Sequence, residues 1–302
     1  MTHAARIAIV GGGIAGAALA RAFAALGAEP EVFADGGPAA SRSPAALVAP
    51  RLDAGLGPAA ALFADAVVRA GGLYAGVTDA VIARGAVHLA VGPKDERRFA
   101  AIAASDLFAP GALRLLDRAE TSALVGEAAP PGLVIAPALV IDPAPVLAAW
   151  LRDNRRAAVA AVTREAGAWR LSDADGALVA QADIVCIAAG PASAGLAPGH
   201  SLGPVRGQAS FAAGPAPPIT VLYGGYVAPA PGGTLFGATH DRDDTALEPR
   251  EADHARNLAA LSAVLPNQAA RLATVPLAAH VGVRATTADY LPIAGARTPT
   301  WA

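Results

Sequence analysis

Cysteine is nearly absent. The 302-residue chain has one, Cys186, so neither an intramolecular disulfide nor a cysteine-only metal site can form. That usage suits a reducing cytoplasm. Aromatic residues are scarce at 5%, although hydrophobic residues reach 54%, so the core must be built largely from alanine and other small side chains. Neither charge sign dominates: 23 Lys and Arg against 25 Asp and Glu leave a net charge of -2. No global basic field therefore points to nucleic acid, and only local patches remain open. Long apolar runs are missing too, since Gly, Pro, Asp or Arg breaks each one. The first apolar helix stops at Gly27, short of the ~20 residues that a membrane span needs. Arg6 is the only strong cation before it, a poor match to a signal peptide. His3, His88, His200, His254 and His280 show no ligand spacing, and no metal is expected. These absences lead us to expect a soluble cytoplasmic protein of one large α/β unit or two domains.

The pattern that is present alternates strand and helix at the start. Ile7 to Val10 is a continuous apolar run of buried-strand type, Ile14 to Leu26 reads as a helix, and Glu31 to Phe33 as a second strand. Helices are expected over Pro58 to Tyr74, Lys94 to Ala104 and Pro143 to Arg152, the last capped by Asp142. Val159 to Val179 reads as a short antiparallel meander, and Asp183 to Ile187 as another buried strand, ending in Ala188-Ala189-Gly190. Beyond Pro204 the chain is strand-rich, with one helix expected from about Arg250 to Leu265. The predicted fold class is α/β: a Rossmann-like FAD/NAD(P)-binding domain with an inserted antiparallel-sheet α+β substrate domain. The expected division gives 1–80, 140–203 and 281–302 to the nucleotide and 81–139 and 204–280 to the substrate.

Gly11, Gly13 and Gly16 satisfy G-x-G-x-x-G between a strand and a helix. The first glycine permits the tight turn, the second lets backbone approach a pyrophosphate, and the third lets the helix pack on the strand. The turn and helix N-terminus (Gly11, Gly12, Gly13, Ile14, Ala15 and Gly16) would offer N–H groups to phosphate. An acid usually ends the second strand and binds ribose. Ala34 stands there, and Asp35, one residue on, is the candidate, with a plain loop carboxylate as the alternative. The small residues Ala189 and Gly190 would let the later strand pass close to a dinucleotide.

Five segments carry a wider resemblance: "IAIVGGGIAG", "ASRSPAALVAPRLD", "ADIVCIAAGP", "PVRGQAS" and "GVRATTADYLPIAG". In them the chain resembles the D-amino-acid oxidase-like FAD-dependent oxidoreductases over essentially its whole length. The last segment matches a G-x-R-x-x-T-x-D-x-x-P-x-x-G signature through Gly282, Arg284, Thr287, Asp289, Pro292 and Gly295. Within the family, "YGGYVAP" and "FGATHDRDD" are most similar to the oxidoreductase half of bifunctional enzymes that modify the tRNA wobble uridine. The resemblance implies FAD as cofactor, with Ser41 from the Ser-rich loop among its contacts. It implies oxidation of a secondary amine: removal of the carboxymethyl group from a 5-carboxymethylaminomethyl-uridine of tRNA, with release of glyoxylate. It departs from the family in two ways. No methyltransferase half precedes the FAD motif, so a separate methyltransferase is a candidate partner. The sequence also stops at Trp301-Ala302, where members continue, and a fragment is one expectation.

Such a substrate is an N-substituted glycine, and a guanidinium can grip its carboxylate bidentately. Arg284, the signature arginine, is the implied clamp; the alternative is a structural ion pair with Asp289. Tyr226 is a candidate donor to the same carboxylate, against simple core packing. Arg206 is a candidate cation beside the flavin, against a surface role, and Gln208 shares the ambiguity. His240 is read as a loop residue, and Cys186 as core. Arg152, Arg155 and Arg156 form a basic cluster, read as a solvated helix end or a phosphate contact. Three alternatives stay open: a small-molecule amino-acid or sarcosine-type oxidase, a non-catalytic FAD-binding protein and, more distantly, an NAD dehydrogenase.

Overall fold

The computed structural model describes residues 5–37, 39–152 and 154–296; His3, Trp301 and Ala302 lie outside them. Two larger sheets and a three-stranded meander organise these residues. The first is parallel, in the order Ile184–Ile187, Ile7–Val10, Glu31–Ala34, Asn154–Arg156. Val10 lies in register with both Ile187 and Phe33, so three strands end together where the glycine turn begins. All four residues of Ile7–Val10 are buried, as a central parallel strand covered on both faces requires.

One cover is helical. Ile14–Ala25 and Pro143–Leu151 enclose Ile9, Val32, Val146 and Trp150. The first helix lies close because its inward positions are Gly16, Ala17 and Ala20. The second begins as its sequence indicates, with the Asp142 carboxylate accepting the Ala144 N–H at 2.8 Å. The other cover is the meander Ala161–Glu165, Ala168–Ser172, Leu178–Ala182, which packs Leu171 and Ala182 on Val10 and Phe33. Cys186 packs against the helical core, and burial raises its thiol pKa.

The second sheet is largely antiparallel. Its order is Asp241–Arg242, Gly203–Ala213, Gly233–Gly237, Tyr226–Ala230, Thr220–Leu222, Val81–Leu89, Gly132–Ile141, Ala46–Val48. Leu277–Thr286 pairs along Gly203–Ala213, and Leu113–Leu116 along Gly132–Ile141. Helices Glu251–Ser262 and Pro266–Leu272 cover one end of it, burying Val227, Phe236, Leu261 and Leu265.

This is the Rossmann-like α/β architecture with an antiparallel partner sheet that the sequence predicts. Several details differ. The helix expected from about Arg250 to Leu265 is Glu251–Ser262, and a further helix that the sequence reading did not include, Pro266–Leu272, follows it with Pro266 in its first turn. Ala46–Val48, read as loop, pairs with Gly132–Ile141. Asn154–Arg156, read within a basic helix end, is the fourth strand of the parallel sheet. The division into nucleotide and substrate parts at the expected boundaries remains our proposal; the large sheet extends past them at Ala46–Val48 and Leu277–Thr286. Among the described residues, no helix is long and apolar enough to cross a membrane.

Candidate active site

The strand Ile7–Val10 stops at Gly11, whose φ of +117° is open to glycine and strained for other residues. Its N–H bonds the Phe33 carbonyl at 2.9 Å. A Cβ on Gly11 would strike the Ala188 carbonyl, and one on Gly16 would strike the Gly11 carbonyl. Bare backbone thus lets the turn, the first helical turn and the end of Ile184–Ile187 close on one another. Ala189 and Gly190 follow directly, with the Ala189 N–H donating to Ser193 Oγ at 3.0 Å. Ser41 enters from a distant loop: its Oγ accepts the Ile14 N–H at 3.0 Å and flanks Gly13. The N–H groups of Gly12, Gly13 and Ala15 have no partner among the described residues. Together with the positive end of the helix dipole they form a seat for an anion.

Asp35 is exposed, one residue past the strand Glu31–Ala34, and its carboxylate accepts the Gly37 N–H at 2.9 Å. Ala34 lies against Gly12: a Cβ on Gly12 would come within 2.7 Å of the Ala34 methyl. Of the basic cluster, Arg152 caps the helix Pro143–Leu151, whereas Arg155 and Arg156 lie in the strand Asn154–Arg156. Arg155 pairs with Glu31 across the parallel sheet at 3.0 Å, and the Arg156 guanidinium covers Gly36.

The second group of side chains lies on one face of the large sheet. In the register of Gly203–Ala213 and Leu277–Thr286, Val205 opposes Arg284 and Gly207 opposes Gly282. The exposed Arg284 bends over Gly207, where its Nη2 donates to the Thr239 carbonyl at 3.3 Å. No carboxylate pairs with it among the described residues. Asp289, its alternative partner, instead accepts the Leu291 N–H at 3.0 Å and bonds Thr287. Tyr226 lies close by: burial pushes its phenol up to about 12, and the Arg284 charge offsets part of that shift. Burial, Arg284 and Arg242 together hold the exposed His240 below the ordinary imidazole pKa; its ring tilts against Tyr290 at 6.3 Å. The two groups meet through the strand carrying Arg284, because Gly282 packs on the backbone of Ala40, next to Ser41.

Arg206 is a correction. The sequence reading leaves it either beside the flavin or at the surface, but side chains alternate along a strand, and Arg206, Gln208 and Ser210 point to the opposite face from Gly207. Arg206 is fully buried there. Its guanidinium binds Asp253 at 2.5 Å, Gln208 at 3.1 Å and the carbonyls of Ala246 and Glu248. Gln208 bonds the backbone of Arg250, and Ser210 shares a 2.7 Å hydrogen bond with His254. This buried layer fixes the helix Glu251–Ser262 to the sheet, on the face away from Gly207. Conversely, Gly207, Thr239 and His280 belong to the site face and escape the sequence reading. His280 lies two rungs from Gly282 with a buried Nε2 that has no partner among the described residues. Its signal was the alternation with Gly282 and Arg284.

The profile of the FAD dependent oxidoreductase (DAO) family matches residues 6–301. The chain belongs to that family. FAD is therefore its cofactor, and the cradle fits it: glycines where any Cβ would fill the space, and unpartnered N–H groups at a helix N-terminus. That Gly11 to Gly16, Ser41, Ala189 and Gly190 hold it is our proposal, resting on this cradle geometry. The chain is 51% identical over 292 residues to the "tRNA 5-methylaminomethyl-2-thiouridine biosynthesis bifunctional protein MnmC" of Caulobacter sp. (strain K31), covering 96% of this chain and 49% of that protein. The same values hold for the protein of that name in Caulobacter vibrioides. The chain thus spans about half the length of the curated relatives that it matches. Among solved structures, glycine oxidase of Geobacillus kaustophilus superposes with a TM-score of 0.76 at 22% identity, over 98% of this chain and 86% of that one. Iminodiacetate oxidase of Chelativorans sp. BNC1 gives 0.78 at 23%, over 94% and 84%. These two likenesses establish the fold alone.

Proposed function

We propose that this FAD-dependent oxidoreductase removes the carboxymethyl group from a 5-carboxymethylaminomethyl-uridine at the tRNA wobble position. One observation carries the reading: on the site face, Arg284 is a guanidinium with, among the described residues, a single backbone acceptor and no carboxylate of its own. Its remaining N–H donors are free to grip an N-substituted glycine at both carboxylate oxygens. The identity to relatives named for a tRNA uridine modification supports the nucleic-acid half of the reading. Pinning the carboxylate fixes the adjacent carbon, which turns an encounter into an oriented attack. Tyr226 keeps its proton at neutral pH because its pKa is pushed up to about 12, so its hydroxyl is a second donor to the carboxylate.

The carbon between nitrogen and carboxylate loses a hydride, and the nitrogen loses a proton. Water then adds to the resulting imine and the C–N bond breaks, giving glyoxylate and an aminomethyl uridine. FAD, when bound, supplies the capacity to accept the two electrons. The amine binds neutral, so no residue is assigned as a base. Cytoplasmic tRNA is the proposed partner, and a methyltransferase is the proposed consumer of the aminomethyl product. Incubating the FAD-loaded protein with tRNA carrying the carboxymethylated base, then weighing the nucleosides by mass spectrometry, tests this. Conversion to the aminomethyl base with matching glyoxylate is expected. Turnover of sarcosine or glycine with the tRNA base left intact would replace this reading with the small-molecule one.

A further inference from the structure

The guanidinium of Arg284 lies on bare backbone. A Cβ built on Gly207 would come within 2.6 Å of Arg284 Nη2 and 2.9 Å of the Thr239 carbonyl oxygen. Gly207 is paired across the strands with Gly282, so two facing residues without side chains form the floor on this face. The wall is equally fixed. Thr239 donates its N–H to the Gln208 carbonyl at 3.1 Å, and its Oγ1 accepts the Gln208 N–H at 2.9 Å. The carbonyl that receives Arg284 is thereby held against the same strand. An arginine has several free torsions and loses entropy when it is fixed. A flat seat and one rigid acceptor restrict those torsions before any ligand arrives.

We propose that Gly207 is a positioning residue for Arg284: its missing side chain is the seat that holds the guanidinium ready for a carboxylate, and so makes the site select carboxylate-bearing amines. The inference rests on the carboxylate role of Arg284 given above. A methyl at position 207 would lift the guanidinium off Thr239 by a few tenths of an ångström or more, whereas the dinucleotide cradle would be untouched.

The test is calorimetric binding of methoxyacetate, an unreactive carboxylate, and of its neutral counterpart methoxyacetamide to the FAD-loaded protein. Gly207→Ala is expected to weaken methoxyacetate about tenfold or more while leaving methoxyacetamide and FAD binding unchanged. Methoxyacetate bound equally by Gly207→Ala and wild type, but lost in Arg284→Ala, would overturn the inference and leave the clamp standing. Methoxyacetate bound equally by Arg284→Ala and wild type would overturn the clamp and the inference with it. Melting temperatures keep the idea testable if Gly207→Ala folds poorly. The loss caused by Gly207→Ala should shrink when Arg284→Ala is present, because the clashing group is gone. An equal loss in both backgrounds, or failure of both to fold, would mean that the Thr239 backbone alone demands the glycine, and the inference would fall.

Discussion

Two guanidiniums on adjacent rungs of one strand pair illustrate how context sets the role of a residue. Arg206 is fully buried and spends its donors on Asp253, Gln208 and two carbonyls, whereas Arg284 is exposed and spends one donor on Thr239. The first arrangement is buried and structural; the second leaves a fork open to a carboxylate. Tyr226 extends the argument. Its pKa, pushed up to about 12 by burial, means that the hydroxyl is protonated at every pH below that value. Tyr226→Phe is therefore expected to lower kcat/KM roughly tenfold, about the worth of one hydrogen bond to a charged group. Comparing the pH profiles of the two proteins checks it: an alkaline limb near pH 10 that vanished in Tyr226→Phe would contradict this account. The face that carries the site was hard to read at this scale. In Val205-Arg206-Gly207-Gln208-Ala209-Ser210 the polar residues attract a functional reading, but it is the glycine and apolar face that holds Arg284 and Tyr226. The carboxylate that claims Arg206 stands 47 residues further along, and no local pattern announces such a pairing.

At the scale of elements, the strand–glycine–helix unit was legible because its constraints are local: an apolar strand, a turn needing φ of +117° at Gly11, and a small-residue helix. The collision of a Gly11 Cβ with the Ala188 carbonyl makes that unit testable. Gly11→Ala should bind FAD at least tenfold more weakly, by strain at positive φ and by the displaced strand end, and the purified protein should show a reduced flavin band per chain. Retained FAD at wild-type affinity would contradict the cradle. Short elements were not legible. Ala46–Val48 is three residues long and needs its partner Gly132–Ile141 to exist as a strand. The helix Arg118–Val125 carries a capping box, Asp117 with Glu120, a local signal that the sequence reading passed over. On the long strand Val81–Leu89, His88 packs against Phe99 at 4.9 Å, and burial with the nearby Arg98 holds its imidazole down to about 4. The unfolded chain would take up that proton near pH 6.5 and the folded one only near 4, so stability from this group is complete above 6.5 and declines as pH falls toward 4. The full loss is roughly 3 kcal/mol. Urea midpoints at pH 7 and pH 5 should differ by less in His88→Phe than in the wild type; an equal difference would remove His88 as the cause.

At the scale of the whole molecule, the proposed function draws on two sheets brought together. The parallel sheet ends in the dinucleotide cradle, and the antiparallel sheet presents Arg284 and Tyr226. The strand Leu277–Thr286 links them by passing Gly282 across Ala40, beside the Ser41 that flanks the cradle. Both halves were readable as separate motifs, while their juxtaposition was not, because Ser41 and Gly282 are brought together only by the fold. The buried layer around Arg206 serves this arrangement too, since it anchors the covering helix Glu251–Ser262 on the face away from the site. The central claim is that one guanidinium pins the acidic end of the amine so that FAD can oxidise it. An anaerobic single-turnover experiment tests it most directly, mixing FAD-loaded protein with an anticodon stem-loop that carries the carboxymethylated uridine and following the flavin absorption band. The account predicts that the wild type bleaches with one glyoxylate per FAD, and that Arg284→Ala keeps its FAD but bleaches on the order of 100-fold more slowly. Bleaching at the same rate in both proteins would contradict it.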